Sequence, residues 1–399
     1  MEDIDIPSYF LCPISLEIMR DPVTMSSGIT FDRESIEKWI YTNKNSTCPI
    51  TRQPLSDTDL TPNHTLRRLI QAWCTLNASD GVERFPTPKP PVDKAQIIKL
   101  LNDGKSQEHQ IMRCLKSLKS IANESERNKR CLESAGAVEF LASIVTNECS
   151  TSSDEALDIL YHLQISETGF KNLITRNGDF IGTLMRVLQH GSYQSRGYAT
   201  LLLKSMYEIA DPIYMMNMRV EQFVQIVNVL SDQISQQASI AALQLMIELC
   251  PWGRNKVKAV EAGAVEVLIE VLIEKTEKRV CEMVLMLLDQ LCRCAEGRAR
   301  LLSHGAGIAV VSKKILRVSH VGSERGVKIL TSISRFSATS NVLQEMMVVG
   351  VVTKLCLVLQ VDCSPKTKEK AKEILRLHST VWKNSSCIPV HLLSFYPSS

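Results

Sequence analysis

The sequence predicts a mostly helical protein in which a small α+β domain precedes a solenoid of repeated helices. Three observations lead to this prediction. The first 80 residues contain a hairpin pattern and two capped helices, residues 85–91 are too rich in proline to continue a helix, and residues 135–141 recur almost unchanged at residues 262–268. We therefore divide the chain into an N-terminal domain at residues 5–80, a linker at 81–92 and a repeat array at 93–399.

Two short β-prone runs open the N-terminal domain. Residues 23–25 (Val-Thr-Met) and 29–31 (Ile-Thr-Phe) are separated by Ser26, Ser27 and Gly28. Glycine permits the positive φ that a tight hairpin turn needs. The pattern therefore predicts a β-hairpin with Gly28 in its turn.

Two helices are predicted after the hairpin. Asp32, a favoured N-cap residue, directly precedes a run in which Ile36, Trp39 and Ile40 recur at the spacing of one helix face. Asn63 can cap a second helix in the same way. The apolar side of that second helix comprises Leu66, Leu69, Ile70 and Trp73.

Metal ligation is not expected in the N-terminal domain. Between residues 9 and 76 the candidate ligands are Cys12, Cys48, Cys74 and His64, without a Cys-x-x-Cys pair. A tetrahedral structural zinc site cannot be assembled from this set. We therefore predict a domain without metal or other cofactor.

Six motifs between Tyr9 and Leu76 together resemble a U-box, the zinc-free relative of the RING domain. They are Phe10-Leu-Cys-Pro-Ile14, Ser15-Leu-Glu-Ile-Met-Arg-Asp-Pro-Val23, Gly28-Ile-Thr-Phe-Asp-Arg33, Ile36-Glu-Lys-Trp39, Cys48-Pro-Ile-Thr-Arg-Gln-Pro-Leu55 and Pro62-Asn-His-Thr-Leu-Arg-Arg-Leu-Ile70. In U-boxes, networks of hydrogen bonds and charges link the two exposed loops in place of metal. The resemblance implies such structural roles for Glu17, Asp21, Ser26, Gly28, Asp32, Arg33 and Asn63.

The resemblance also implies a binding surface for a ubiquitin-conjugating enzyme, in a shallow apolar groove between two loops and the first helix. The corresponding residues are Ile14 and Leu16 on the first loop, Trp39 on the helix and Pro49 on the second loop. Arg52 matches the basic residue that can bridge the conjugating enzyme and ubiquitin. Two alternatives stay open: an aromatic residue at helical spacing is more often part of the core, and Arg52 is equally well explained as a solvated loop arginine.

The repeat array is marked by glycines at recurring intervals. The intervals are 42, 85, 42 and 45 residues, and Val220 marks the copy that the interval of 85 skips. A period of roughly 40–47 residues is typical of armadillo or HEAT units. The glycine-marked turn before a helix resembles an armadillo repeat, which implies a right-handed α-solenoid with a groove for partners. The marker glycines are Gly136, Gly178, Gly263, Gly305 and Gly350.

The combination of both parts resembles the plant U-box/armadillo ubiquitin ligases over essentially the whole chain. The resemblance implies a RING-type E3 ubiquitin transferase that recruits a ubiquitin-charged conjugating enzyme. Ubiquitin would pass to lysines of a substrate held by the armadillo repeats, and to the ligase itself. No residue acts as a covalent nucleophile, because the ligase works by positioning. Roles in plant stress and defence signalling are expected of this family.

A non-enzymatic armadillo scaffold with a degenerate U-box is the alternative function, and the presence of all the groove positions argues against it. Other enzyme classes lack support, because the sequence has neither a Gly-x4-Gly-Lys phosphate loop nor a Gly-x-Ser-x-Gly elbow. With 46 basic and 43 acidic residues, the net charge of +3 does not indicate nucleic-acid binding. Residues 366–372 are lysine-rich, and we interpret them as a solvated helix face.

The remaining patterns concern location and assembly. Residues 1–5 are acidic, unlike a secretory signal, so we expect a protein of the cytoplasm or the nucleus. Residues 342–361 are apolar but interrupted by polar and charged side chains, so no integral membrane segment is expected. Cys292 and Cys294 point to different helix faces, which favours packing over metal binding with His304. The aromatic residues near Tyr9 are needed for the core, which predicts a monomer or a weak dimer.

Overall fold

The structure is a computed structural model of the 399-residue chain, and it describes residues 6–42, 45–55, 57, 59–77, 92–106, 110–147, 151–176 and 180–382. The chain divides into two compact units. One comprises Met1–Ile144 with His162–Ile165, and the other comprises Val145–Tyr161 with Ser166–Ser399. The first helices of the repeat array therefore belong to the same unit as the N-terminal domain. Residues 78–91, which include most of the predicted linker, lie outside the described residues.

The N-terminal domain contains a three-stranded antiparallel sheet. Its strands are β1 (Pro22–Thr24), β2 (Thr30–Asp32) and β3 (Thr61–Pro62), in the order β2-β1-β3. Val23 pairs with Phe31 on one side and with Pro62 on the other. Gly28 has a φ of 77° in the turn between β1 and β2. The predicted hairpin is confirmed, whereas the sequence did not predict β3.

Two helices complete this domain. Helix α1 (Arg33–Glu37) continues as a π-helical segment (Lys38–Thr42), and helix α2 spans His64–Leu76. The Asn63 side chain accepts a hydrogen bond from the Leu66 amide at 3.0 Å, which confirms the predicted cap. The predicted apolar face was wrong at one position: Ile70 is buried, but Leu69 is 52% exposed.

The core of the N-terminal domain draws on β1, β2 and both helices. Phe10 is buried, and its ring contacts the ring of the partly buried Trp73 with centroids 5.9 Å apart. Both aromatic residues therefore serve the core, as the sequence predicted. The buried members of the cluster are Phe10, Cys12, Met19, Val23, Met25, Phe31, Ile36, Ile40, Cys48, Ile70 and Cys74.

The repeat array is built from helices alone in its described residues. They are α3 (Lys94–Ser106), α4 (Ile111–Glu124), α5 (Glu126–Ser134), α6 (Ala137–Thr146), α7 (Thr151–His162), α8 (Glu167–Arg176), α9 (Phe180–His190), α10 (Tyr193–Tyr207), α11 (Pro212–Met216), α12 (Val220–Ser231), α13 (Gln236–Leu249), α14 (Asn255–Glu261), α15 (Ala264–Glu274), α16 (Lys278–Leu291), α17 (Ala295–Ser303), α18 (Gly307–Lys314), α19 (His320–Phe336), α20 (Ser340–Val348), α21 (Val351–Gln360), α22 (Pro365–Leu377) and α23 (Ser379–Trp382).

A typical repeat has two shorter helices followed by a longer one, as in α14, α15 and α16. The long helices α10, α13, α16, α19 and α22 each pack against the next in the series. Leu243, Leu287 and Leu330 lie on three of these helices and are fully buried. Because each of these long helices buries apolar surface against the next, they share one continuous core in the second unit.

The marker glycines form the predicted turns in three repeats. Gly136, Gly263 and Gly350 have φ values of 89°, 81° and 80°, and a helix follows each of them directly. Gly305 also lies in a turn before a helix, but without a positive φ. In that turn the Ala306 amide donates to the His304 side chain instead. Gly178 lies outside the described residues, and α12 begins at Val220, where the sequence predicted the glycine-free copy.

Buried polar side chains join the end of a long helix to the start of the next repeat. Asn255 Nδ2 donates to the carbonyl oxygens of Leu249 and Met215 at 2.9 and 2.7 Å. Arg298 Nη1 donates to the Cys292 carbonyl at 3.0 Å. The last carbonyls of a helix have no partner within the helix, so these side chains supply it.

Two patterns that the sequence raised as alternatives have plain structural explanations. Cys292 is fully buried, while the Cys294 thiol donates to the Leu291 carbonyl. His304 contacts Glu270 at 3.0 Å. In the described part of the chain no single helix is long and apolar enough to cross a membrane; α20 and α21 reach that length only as a pair, which is bent by 62°.

Candidate functional site

Two loops of the N-terminal domain have the same backbone geometry. In loop 1 (residues 12–18), the Cys12 amide donates to the Glu17 carbonyl and the Leu16 amide donates to the Cys12 carbonyl, both at 2.8 Å. In loop 2 (residues 48–54), the amides of Cys48 and Arg52 form the equivalent bonds at 2.9 Å. The two loops are therefore structural copies, which agrees with the shared Cys-Pro-Ile at the start of each.

Each loop holds a residue in the left-handed region at the equivalent position. Leu16 has a φ of 59° and Arg52 has a φ of 58°. This conformation costs a residue other than glycine roughly 1–2 kcal/mol. Leu16 is 74% exposed, and Arg52 is exposed as well. Backbone strain at exposed residues is found where a protein binds or acts, so both loops are candidates for a binding site.

The cysteine at the start of each loop is held by hydrogen bonds to its sulfur. Burial alone would raise the pKa of the Cys12 thiol, but hydrogen bonds from Ser15, Asp32 and Ile14 together lower it. The pKa of Cys48 is lowered in the same way, against the effect of burial, chiefly by Thr51. Both thiols are almost fully buried. Among the described residues, no cluster of three or more histidine, cysteine or acidic side chains is placed to hold a metal ion.

A charged network joins the segment that follows loop 1 to the sheet and both helices. Arg33 Nε donates to Asp21 Oδ2 at 2.6 Å, and Arg67 lies 3.6 Å from the other Asp21 oxygen. Asp32 occupies the N-cap position of α1, but its carboxylate does not cap that helix. It accepts the amides of Arg20 and Asp21 at 2.8 and 2.9 Å instead, which corrects our prediction. Burial is the main cause of the raised pKa of Asp32.

The other residues that the resemblance placed in the network act through local contacts. The Asn63 amide donates to the Pro22 carbonyl at 2.8 Å and so ties α2 to the sheet. Ser26 and Gly28 lie exposed in the hairpin turn. Glu17 has an exposed side chain, and it contributes its backbone carbonyl to loop 1.

Trp39 connects the helical segment to loop 2. Its indole Nε1 donates to the Thr47 carbonyl at 2.8 Å, directly before loop 2 begins. The side chain is partly buried, and like Ile14 it packs against the core of the domain. Trp39 is therefore part of the core and partly exposed at the surface. Neither alternative from the sequence, a groove residue or a core aromatic residue, describes it alone. Pro49 is also partly buried.

Sequence reasoning missed Ile50. This residue is 51% exposed on loop 2, at the position equivalent to Ile14 on loop 1. An isoleucine that is exposed on a strained loop is better explained as part of an apolar interface than as a residue that stays in contact with solvent. The repeated Cys-Pro-Ile triplet was the signal that could have revealed it.

Comparison with known families identifies both parts of the chain. A model described as "U-box domain" matches residues 6–79. A model described as "Plant U-box protein ARM repeat region" matches residues 96–398, which is more than half of the chain. The chain belongs to the plant U-box proteins with an ARM repeat region. The fold class predicted from the sequence is thereby confirmed.

Similar proteins share this architecture over their full length. E3 ubiquitin-protein ligase PUB23 of Arabidopsis thaliana is 55% identical, across 99% of this chain and 98% of that protein. E3 ubiquitin-protein ligase PUB22 of the same species is 51% identical across the whole of both chains. This U-box protein is accordingly an E3 ubiquitin ligase, which favours the enzymatic function over the scaffold alternative. Its U-box implies a conjugating enzyme as partner, and its ARM repeats imply a peptide or protein ligand.

Solved structures resemble the fold at low identity. A chain from a structure concerning the interaction between cadherin and beta-catenin superposes with a TM-score of 0.59 at 13% identity, covering 81% of this U-box protein and 58% of that chain. An engineered protein superposes with a TM-score of 0.51 at 15% identity, covering 86% and 79%. These likenesses concern the helical fold alone.

Proposed function

We propose that loops 1 and 2, together with Trp39, bind a ubiquitin-charged conjugating enzyme and promote the transfer of ubiquitin to lysines of a substrate protein on the ARM repeats. The observation that carries this proposal is the pair of matching strained loops, which expose Leu16 and Ile50. The Trp39 indole donates a hydrogen bond to the Thr47 carbonyl, directly before loop 2. This bond holds Trp39 next to that loop, so it supports a continuous apolar surface. Ile14, Pro49 and Arg52 complete the proposed contact.

Five of the described cysteines are poorly suited to carry ubiquitin, which supports direct transfer from the conjugating enzyme to the lysine. A cysteine that carries ubiquitin must be accessible and able to ionise. Burial raises the pKa of Cys114 and Cys356 to about 11 and that of Cys250 to about 12. Cys12 and Cys48 have lowered pKa values but are almost fully buried. The ligase then contributes by holding the reacting groups close together.

Arg52 offers a direct test of the proposed contact with ubiquitin. Because its φ is 58°, Arg52→Gly keeps the loop backbone unstrained while removing the guanidinium group. Loss of a charge-assisted hydrogen bond costs about 1.5–3 kcal/mol, so we expect ubiquitin discharge from the conjugating enzyme to fall about tenfold or more. Binding of the uncharged conjugating enzyme should change much less.

Arg52→Lys serves as the matched control, because it keeps the charge but not the planar fork of donors. We expect its discharge rate to lie between those of the wild type and Arg52→Gly. Unchanged discharge in Arg52→Gly would show that Arg52 is a solvated loop residue. Equal loss of binding and discharge would place it in the conjugating-enzyme contact alone.

The expected oligomeric state depends on whether the aromatic residues of the U-box are buried in its core or exposed to a partner. Phe10 is 4% exposed and Trp73 packs against it, so neither is free to form an interface. Tyr9 and Leu69 are 62% and 52% exposed, so of these four residues only these two remain available to a partner. We expect a monomer, or a dimer that dissociates on dilution, in light scattering at low micromolar concentration. A dimer that persists on dilution would refute this assignment.

The cellular setting that we propose is the cytoplasm, with entry to the nucleus, in plant stress and defence signalling. The described cysteines are free thiols, and most of them are buried. Unpaired thiols in this number are typical of reducing compartments, which supports the proposed location. Fluorescence imaging of the tagged full chain in plant cells would test it.

A further inference from the structure

A buried carboxylate lies at the end of the U-box helix α1. Glu37 is 2% exposed at the end of α1, and Arg33 lies 3.6 Å from it. Burying a charged group is costly unless it is paired and hydrogen-bonded. An apolar residue at this position would serve a hydrophobic core equally well. The presence of glutamate therefore calls for a specific partner.

Besides Arg33, a partner lies at the start of α5, the helix that follows α4 in the first repeat. Burial raises the pKa of Glu37, while the Arg33 charge and a hydrogen bond from the Arg127 backbone amide oppose that rise. The first amides of a helix have no acceptor within the helix, and their partial positive charge favours an anion. The Ser125 hydroxyl accepts the Asn128 amide at 3.1 Å. Glu37 thus complements Ser125, and the U-box provides part of the N-terminal cap of a helix in the repeat array.

A second contact lies one turn further along both helices. The guanidinium carbon of Arg130 lies 3.3 Å from the centroid of the Tyr41 ring. A cation over an aromatic face within about 6 Å is attracted to the ring. Glu37 and Tyr41 are four residues apart, and Arg127 and Arg130 are three apart, so both pairs lie along one line of contact.

The chain that leads into the repeats is fastened to the same helix. The Cys131 thiol donates to the Val92 carbonyl at 3.7 Å, directly before α3 begins at Lys94. All of these residues belong to one compact unit. The U-box is therefore connected to α5 by side-chain contacts as well as through the chain.

We propose that α5 is a positioning element for ubiquitin transfer, and that Glu37, Tyr41 and Arg130 are positioning residues. Trp39 of the proposed conjugating-enzyme surface lies between Glu37 and Tyr41 on the segment that α5 holds. Docking of α5 fixes the direction in which that surface faces the first repeat. It thereby selects which lysines near the U-box receive ubiquitin. The exposed lysines of α3 and α4 are Lys94, Lys99, Lys105 and Lys116. The inference rests on the proposed site, but its test does not depend on which loop residues form that site.

The test uses the full chain with Tyr41→Leu and Arg130→Ala, and with Tyr41→Phe as the matched control that keeps the aromatic ring. Three quantities are measured: hydrogen exchange at the start of α5, discharge of ubiquitin from the conjugating enzyme to free lysine, and the share of autoubiquitination at each lysine of α3 and α4. Free lysine accepts ubiquitin irrespective of where the repeats lie. It therefore separates activation of the conjugating enzyme from positioning.

We expect exchange at the start of α5 to rise about fivefold in Tyr41→Leu and Arg130→Ala, as loss of a cation–π contact predicts. Discharge to free lysine should stay within about twofold of the wild type, while the shares of the four lysines change by about threefold or more. Tyr41→Phe should match the wild type in all three measurements.

Two results would overturn the proposal. One is an unchanged lysine pattern in Arg130→Ala, a variant outside the U-box that cannot unfold it directly. The other is a parallel loss of discharge and autoubiquitination in both variants, which would mean that the contact merely stabilises the U-box. Failure of the proposed loop surface would appear differently, as normal discharge in variants of loops 1 and 2.

Discussion

Ile14→Ala should abolish autoubiquitination while leaving the U-box folded. Ile14 lies on loop 1, partly buried against the domain core and partly available to a partner. An apolar anchor at the centre of an interface contributes about 2 kcal/mol or more to binding, which corresponds to an activity loss of roughly 30-fold or more. The measurements are discharge of a ubiquitin-charged conjugating enzyme and autoubiquitination by the full chain.

Ile18→Ala is the control for this experiment. Ile18 has the same side chain, ends the same loop, and is likewise partly buried against the same core. Its truncation removes similar packing, so thermal unfolding of the two variants should shift by similar amounts. Only Ile14→Ala should lose activity. Equal activity loss in both variants would mean that loop stability, and not a contact with the conjugating enzyme, explains the result.

Trp382→Ala should open the last repeat and cost about 3–5 kcal/mol locally. Trp382 is fully buried in α23, and its indole N–H donates to the Leu343 carbonyl of α20 at 3.2 Å. Its ring also contacts His378, with centroids 5.1 Å apart. Removal of the side chain leaves a cavity and breaks the hydrogen bond to the Leu343 carbonyl. Hydrogen exchange of α20 to α22 should therefore rise by orders of magnitude.

The effect should remain local, because each repeat of a solenoid contacts only its neighbours. Hydrogen exchange in α13 and α16, and discharge of ubiquitin to free lysine, should match the wild type. Trp382→Phe keeps most of the packing and loses the hydrogen bond, so it should cost only about 1–2 kcal/mol. Leu377→Ala, at a 53% exposed position nearby, is the surface control. If hydrogen exchange in α20 to α22 were the same in Trp382→Ala as in the wild type, this assignment would be contradicted.

Several residues of the candidate site have properties that could not be predicted from the sequence. Arg52 and Leu16 were named from the U-box resemblance, but their left-handed backbone is set by hydrogen bonds across each loop. Ile50 escaped notice because exposure depends on the whole loop and not on residue type. Glu37 gave no local signal at all, since its partner Arg127 lies 90 residues away in the chain.

The sequence by itself determined the two-part architecture, the hairpin turn at Gly28, the cap at Asn63 and the period of the repeats. Each depends on the steric and hydrogen-bonding needs of residues close together in the chain, so local patterns carry the information. Only the tertiary structure decided that the Asp32 carboxylate holds the backbone of Arg20 and Asp21 and not α1, that Leu69 is exposed, and that Glu37 contacts the start of α5. These outcomes depend on which distant segments meet, because burial and partner choice arise from packing between elements and leave no periodic trace in the sequence.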